Sequence, residues 1–569
     1  MFPDRIFDAL ERLPKKTLWL LIAFVLAYLA VWNHFVQDDA FISFRYAQHL
    51  VDGHGLVWNI GEAQPVEGYT NFLWVLLIAI GLHLGIAADT WSIVLGFACG
   101  LGTLFFTYRL AHRLTGSVPL AMLAVFLLGT NYSFSAYITG GLETQLQALL
   151  VVLAFHLAFR IDDARRAGQP VTRLAFGLSL VMAAAAMTRL DSVLLAGIAW
   201  IGAAWSLWCC RGDDAGNDAA GGGAGRGRDL LALLLPGLLI GVAWFAFKLA
   251  YYGSVFPNTF FVKTGPITRE TLRAGIWYVT SFHFYYGLLL PYALLVLGHR
   301  RLLGDARSRL LAAVVVLWGL YVIKIGGDFM EYRQMVPIMP LIYVLVASAF
   351  SIIGGMLARA ALVAFLLAQS FIHGTSHWGY HGIEAVDELR AHVYDVGFDR
   401  SWKLVGETLH SLFGANADHA DGGSEPVTIA VTAAGAIPFY SNLRTIDMIG
   451  LNDLWVAREG MPLNDFTGHG RYATLDYLLE QKVNLVIGHP TVVPLKHKYE
   501  YTAVQMFHTP YFNADYDLSN LPEAVRIVDI PISADRKVVA LYLLPHPAID
   551  RLIEEQGLRN YPPREPDAK

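Results

Sequence analysis

Cysteine is scarce in this chain: among 569 residues only Cys99, Cys209 and Cys210 carry a thiol. All three fall in or beside apolar runs, so neither a disulfide framework nor a thiolate zinc site is expected. The adjacent Cys209 and Cys210 read as inert buried thiols, with lipid modification as the lesser alternative. Charge is scarce too, at 16% of residues with a formal balance of -5. Without a basic surplus there is no footprint for nucleic acid, which is excluded as a partner. No repeat of solenoid period occurs. What is abundant is apolar surface: 55% of the residues are hydrophobic, far above the soluble average, and the chain is too long for one compact core. It reads as a polytopic membrane protein.

Twelve apolar runs of spanning or near-spanning length lie between Thr17 and Phe371. Lys and Arg concentrate in some of the loops between them, and that asymmetry sets sidedness. Arg5, Arg12, Lys15 and Lys16 precede the first run, Thr17 to Val36, so the N-terminus is expected in the cytoplasm. That run is not read as a cleavable signal, being long and followed by a polar loop of functional character. The basic loops Arg109 to Arg113, Arg160 to Arg173, Arg211 to Arg228 and His299 to Arg309 are expected on the same side as the N-terminus. These assignments agree only if the run Asn71 to Leu84 is juxtamembrane or re-entrant, which leaves about eleven spans. The stretch Gly212 to Gly227 reads as a flexible cytoplasmic loop.

After Phe371 the composition changes. From residue 373 to 569 the chain is polar and mixed, with strand-like segments Val427 to Thr432, Val483 to Ile487, Val525 to Ile530 and Val538 to Leu544, and a helical stretch Leu475 to Gln481. The expected organisation is therefore a membrane domain over 1–372 and a periplasmic soluble α/β or α+β domain over 373–569.

The stretch Gln37 to Asn71 (QDDAFISFRYAQHLVDGHGLVWNIGEAQPVEGYTN) follows the first run directly, so Asp38 and Asp39 lie where that run leaves the bilayer. Two adjacent carboxylates cannot both ionise cheaply: mutual repulsion and partial desolvation raise the proton affinity of one, which suits a general base near neutral pH. Their bland alternative is a helix cap. The helix that follows, Ala40 to Val51, sets Phe41, Phe44, Ala47, Leu50 and Val51 on one face and Ser43, Arg45, Gln48 and Asp52 on the other, so it is expected to lie flat on the membrane surface.

With this topology GGLETQ (Gly140 to Gln145), TRLD (Thr188 to Asp191), YYGSVFPNTFFVKTG (Tyr251 to Gly265) and GGDFMEYRQ (Gly326 to Gln334) face the same compartment as the acid pair. Ionisable groups at membrane depth cost roughly 2.5 to 3.5 kcal/mol each, so they tend to face a polar cavity. Arg189 and Asp191 read equally as cavity residues or as a structural ion pair, and Glu143 equally as a site carboxylate or as the partner of a helix N-terminus. Lys263, Lys324 and Arg333 are the cations nearest that face, and a lipid phosphate needs such partners. Asn258, with Phe256, Phe260 and Phe261, offers a sugar-binding wall or an interfacial aromatic belt. Asp328 follows a glycine pair that can carry an acid into a cavity.

The run DDAFISFRYAQHLVDGHGLVWN followed by VEGYTNFLW, then GLET, TRLD, FPNTFFVK and GGDFMEYRQMVPIMP, resembles the polyprenyl-phosphate-dependent membrane glycosyltransferases of the GT-C superfamily, and most of all the terminal arabinofuranosyltransferases. The resemblance extends to AGAIPFYSNLRTIDMIGLND (Ala434 to Asp453) in the soluble half. It implies an inverting transferase with its site on the periplasmic face of the bacterial inner membrane. Asp38 or Asp39 would deprotonate an acceptor hydroxyl, which attacks the anomeric carbon of a sugar, plausibly arabinofuranose, carried on a polyprenyl phosphate. Arg189, Lys263 and Arg333 would bind the donor phosphate, and Glu143, Asp191, Asn258, Asp328 and Tyr69 the substrates. The acceptor would be an envelope glycan, lipid or protein. A monophosphate leaving group can be neutralised by Arg and Lys, so no cofactor is required; a divalent ion at Asp38, Asp39, Glu143 or Asp328 stays open as the alternative. Competing readings are a lipid-linked-sugar transporter or flippase, against which the absence of paired halves speaks, and a non-catalytic scaffold of envelope assembly.

Overall fold

The computed structural model describes residues 15–209, 222–263, 267–302, 304–376, 383–395, 400–414, 426–463, 470–507 and 516–564. Arg5, Arg12, Cys210, most of the stretch 212–227, and residues 264 and 265 lie outside them. The chain divides, as its composition does, into an apolar helical bundle and a C-terminal region built on a sheet.

Among the described residues seven helices are long and apolar enough to cross a membrane: Ala88–Thr115, Thr144–Arg166, Ser192–Cys209, Gly225–Tyr252, Ala306–Ile325, Arg333–Ile352 and Met356–Thr375. Arg269–Tyr285 and Leu289–Leu297, which meet at 84°, pass the same test only as a pair, as a broken span or a re-entrant loop. One of the twelve apolar runs of the sequence, Phe284 to Leu297, covers the second arm and only the end of the first, which is amphipathic. Four shorter apolar helices, Lys16–Trp32, Phe72–His83, Val118–Gly129 and Thr172–Thr188, complete the bundle. Among the described residues, length and composition thus give seven or more spans, with the bent pair and the four shorter helices beside them. Phe72–His83, with 12 residues, is about 18 Å long against a hydrocarbon core of about 30 Å.

Within the bundle Thr144–Arg166 is central and mostly buried, while Gly225–Tyr252 turns most of its surface outward. A helix apolar all round and covered by neighbours is a core element; one apolar all round and left uncovered faces lipid.

The C-terminal region contains a six-stranded mixed sheet. Its strands are β1 (Thr428–Val431), β2 (Arg444–Asp447), β5 (Leu485–Pro494), β6 (Arg526–Pro531), β7 (Arg536–Tyr542) and β8 (Asn560–Tyr561), in the order β2-β1-β5-β7-β6-β8. β1 runs parallel to both β2 and β5, and the other pairings are antiparallel. A separate two-stranded ribbon joins β3 (Met461–Pro462) to β4 (Arg471–Tyr472). Side chains alternate across a strand, and here both faces are covered. Ile429, Val431, Val538 and Ala540 join the core that continues into the bundle. Ala430, Val486, Val539 and Leu541 build a second core on the far face.

The Asp38–Val51 helix lies between the two halves, and on its polar face Ser43 and Arg45 are buried while Gln48 and Asp52 keep access to solvent. Arg45 is buried: its guanidinium donates to the carbonyls of Pro438 and Leu443 (2.8 Å for the latter) and its Nε to Trp58 O at 2.8 Å. Periodicity identifies a polar face but cannot say whether water or another domain satisfies it.

Candidate active site

A cavity of about 410 Å³ opens where the bundle, the Asp38–Val51 helix and the C-terminal region meet. Each of the four motifs that the sequence reading put on one side contributes to its polar lining, beside Asp39, Ser43, Tyr69, Thr70, Asn71 and Tyr321. Tyr69, Glu143, Arg189, Asp191, Lys263, Asp328 and Arg333, seven residues scattered over 265 positions, all reach it. Asn258 and Asp38 do not line it.

The two aspartates are separated by helix geometry. Successive residues on an α-helix point about 100° apart, so only one of a neighbouring pair can face a given cavity. Asp39 faces it, with 31% of its side chain open. Asp38 turns to the C-terminal region, where its carboxylate accepts from the amides of Ala436 (2.7 Å) and Gly435 (3.1 Å) at the start of the Ala436–Ser441 helix. It caps a helix about 400 residues away, not the one it begins; the residue before that helix, Gln37, makes no side-chain cap. Burial pushes the Asp38 carboxyl up to about 7, against the two amides that favour its charged form. Repulsion from Asp39 contributes less than either burial or the Ala436 amide, so of the two causes expected from the sequence desolvation is the larger.

Arg333 holds Asp328 through Nη2 (2.7 Å) and Nε (2.8 Å), and its Nη1 lies 3.9 Å from Asp39. Gln334 also donates to Asp328, at 3.1 Å. The Gly326-Gly327 pair, with φ of 86° and 79°, makes the turn that brings Asp328 inward, a conformation that glycine allows. Arg189 bridges Glu143 (3.1 Å) and Asp191 (2.7 Å). Arg189 and Asp191 therefore form an ion pair and line the cavity as well, and Glu143 joins the same cluster without capping the helix it precedes. Glu143 is also held by Asn71 Nδ2 at 2.8 Å, and Asn71 by Ser43 Oγ at 3.1 Å.

Lys263 differs from the two arginines. It ends the Asn258–Lys263 helix, and among the described residues no carboxylate pairs with it. Burial lowers its proton affinity, while Asp39 opposes that loss. The same burial raises the Asp39 carboxyl, with Lys263 and Arg333 pulling it down and Asp328 and Glu143 pushing it up. Asp39 and Lys263 thus answer one another across open space.

Asn258, expected as part of a sugar wall, is a structural pin instead. Its Nδ2 donates to the carbonyls of Gly450, Leu451 and Asp453, and its own amide to Glu67 O. Pro257, Thr259 and Phe260 reach the cavity in its place. Tyr69 lines the cavity while its hydroxyl meets that of Tyr252 at 2.9 Å. Lys324 is absent from the lining. Sequence reasoning missed Ser43, Asn71, Tyr321 and Gln334. Ser43, Asn71 and Gln334 lie inside quoted motifs and were within reach; Tyr321, toward the end of the apolar Ala306–Ile325 helix, gave no signal. Among the described residues no three His, Cys, Asp or Glu side chains gather closely enough to hold a metal ion.

The fold matches ArnT from Cupriavidus metallidurans, solved bound to undecaprenyl phosphate, with a TM-score of 0.52 over 93% of this chain and 99% of that one at 13% identity. It also matches the arabinofuranosyltransferase AftD from mycobacteria, with a TM-score of 0.51 over 94% of this chain and 42% of that one at 14% identity. This chain has the GT-C fold. In sequence it is similar to the terminal β-(1→2)-arabinofuranosyltransferase of Corynebacterium glutamicum, 27% identical over 364 residues, covering 57% of this chain and 49% of that protein. The enzyme of the same name from Mycobacterium tuberculosis is 25% identical over 408 residues, covering 64% and 59%. The chain thus spans about half to three fifths of the length of these curated relatives. Residues 402–533 match a family described as Domain of unknown function (DUF8728).

Proposed function

We propose that this GT-C protein is an inverting glycosyltransferase that moves a pentofuranose, arabinofuranose in the first instance, from a polyprenyl phosphate to a hydroxyl of an envelope glycan. The observation that carries the proposal is the pairing of an open carboxylate, Asp39, with an unpaired cation, Lys263, in one cavity beside the bundle. The names of its sequence relatives support the sugar.

The donor's phosphate binds at Lys263 and Arg333, where charge-assisted hydrogen bonds are strong. Asp39 accepts the proton of the acceptor hydroxyl as that oxygen bonds to the anomeric carbon. The bond from that carbon to the phosphate oxygen breaks on the opposite face, and the polyprenyl phosphate leaves with the electron pair. Lys263 and Arg333 stabilise the charge that develops on it, so no step requires a metal. Arg189, neutralised by Glu143 and Asp191, orients the cavity wall. On this reading the site lies on the periplasmic side of the bacterial inner membrane, with the N-terminus in the cytoplasm and the C-terminal region outside.

The test is transfer by the purified full-length chain in lipid nanodiscs, supplied with polyprenyl-phosphate arabinofuranose and an oligo-arabinofuranoside. Release of polyprenyl phosphate and a product one residue longer, with inverted anomeric configuration, are expected. Failure with arabinose and with other pentose and hexose donors, in protein that still binds the lipid phosphate, would overturn the proposal.

A further inference from the structure

A second cavity, also about 410 Å³, lies on the other side of a thin wall from the first. Val66 and Asn452 border it, while Gly68 and Leu451 border the first, so the partition is only one or two residues thick. The partition is closely built. Tyr46 Oη donates to Val66 O at 2.7 Å and accepts from the Gly68 amide at 3.0 Å, and a Cβ on Gly68 would fall 1.8 Å from Asn452 Oδ1. On the far strand Asp447 fixes the 449–452 loop by accepting from the amides of Ile449, Gly450 and Asn452 and from Asn452 Nδ2. Nothing in the transfer chemistry uses this second space.

Its lining is mixed in a way that points to one ligand class. Trp455, half-buried, lies flat on Tyr477, with ring centroids 4.1 Å apart and planes within 8° of parallel. Around this plate stand Glu62 and Glu459 as acceptors and Arg444, Arg458 and Gln64 as donors. One Glu62 oxygen accepts from Asn59 Nδ2 at 2.6 Å, and the other has no recorded partner among the described residues. A phosphate would call for cations alone, and a lipid tail for neither sign. A sugar ring presents a C–H face, which packs on the negative face of an aromatic plate, and a rim of hydroxyls, each both donor and acceptor. The volume lies in the range of small-molecule pockets.

We propose that this second cavity is an acceptor subsite, which binds sugar residues of an oligosaccharide beyond the one that reacts. The proposal rests on the glycosyltransferase reading above for the word acceptor, but not for the binding itself. Arg458 connects the two cavities physically: its guanidinium lies 5.0 Å from the ring of Phe261, on the helix that ends in Lys263.

The experiment measures binding of a linear arabinofuranoside hexasaccharide to the full-length chain in nanodiscs, without donor, alongside transfer kinetics with that acceptor and with methyl arabinofuranoside. Trp455→Ala and Glu62→Gln are each expected to weaken hexasaccharide binding at least tenfold. Trp455→Phe, which keeps a ring, should restore most of it. The KM for the donor and the kinetics with methyl arabinofuranoside, too small to reach past the wall, should not change. No hexasaccharide binding, or binding unaltered in both Trp455→Ala and Glu62→Gln, would overturn the subsite whether or not transfer occurs. Trp455-dependent binding without transfer from any donor would instead keep the subsite and remove the transferase reading.

Discussion

The Thr144–Arg166 helix, about 35 Å long, carries a charged cluster at each end, and the two are built differently. At its C-terminal end Asp162 and Asp163 are shared among Arg113, Arg166 and Arg307, so every one of these charges has an opposite neighbour. At its N-terminal end Glu143 shares Arg189 with Asp191 in the same manner, yet among the described residues the cavity beyond keeps Lys263 without a carboxylate, and Asp39 with no cation nearer than Arg333 at 3.9 Å. Buried charge is costly to leave incompletely paired. A cluster that closes on itself stabilises the fold, whereas one left open reserves its charges for a ligand.

The contrast can be tested by removing one charge at a time. The largest effect is expected from Asp39→Asn, which keeps the shape but cannot take a proton: turnover should fall roughly 10²- to 10⁴-fold, the usual contribution of a general base, with thermal unfolding unchanged. A pH profile sharpens the same point. Burial raises Asp39, and only its ionised form accepts a proton, so kcat/KM should fall as pH decreases, along a limb displaced upward from the ordinary aspartate value of about 3.9, and the limb should vanish in Asp39→Asn. Next comes Lys263→Gln, which removes the unpaired cation; loss of one charged hydrogen bond, roughly 1.5 to 3 kcal/mol, should weaken binding of the lipid phosphate about 10- to 100-fold in a donor titration, less so at high salt.

Asp38→Ala, next door to Asp39, should behave as a structural change. It leaves two buried amides without an acceptor, so unfolding should be easier by about 1 to 3 kcal/mol, and limited proteolysis should release the C-terminal region sooner, while donor affinity in the intact fraction is retained. The smallest effect belongs to the closed cluster at the other end. Arg307→Ala removes partners that are partly exposed, Asp163 being 43% so, and should cost no more than about 1 kcal/mol with transfer kinetics untouched. Equal damage to turnover from Arg307→Ala and Lys263→Gln would erase the distinction between the two ends.

Much of this was legible in the chain itself. The strand-like segments at Val427, Val483, Val525 and Val538 correspond to β1, β5, β6 and β7 because short β-branched runs between turns have few other ways to bury themselves. β2 (Arg444–Asp447) was missed: only four residues long and bounded by charge, it becomes a strand by pairing with β1. The motifs GLET, TRLD, FVK and GGDF each supplied a cavity residue, because a charge beside an apolar run has nowhere to go but a polar hollow. Asn258 and Asp38 look the same on paper and went elsewhere. Both are used to join the membrane bundle to the C-terminal region, a contact across about 200 and about 400 residues that no local pattern records.

Composition and the spacing of apolar residues determined by themselves that the chain is a helical membrane protein with a sheet-bearing C-terminal region, since burying apolar surface is a local demand that each segment states in its own period. Which of two neighbouring aspartates meets the cavity, which cation stays unpaired, and that a second hollow opens behind a wall shared by Gly68 and Asn452 were decided only by the tertiary structure. Those outcomes depend on the direction in which a side chain leaves its helix and on what a distant segment brings to meet it.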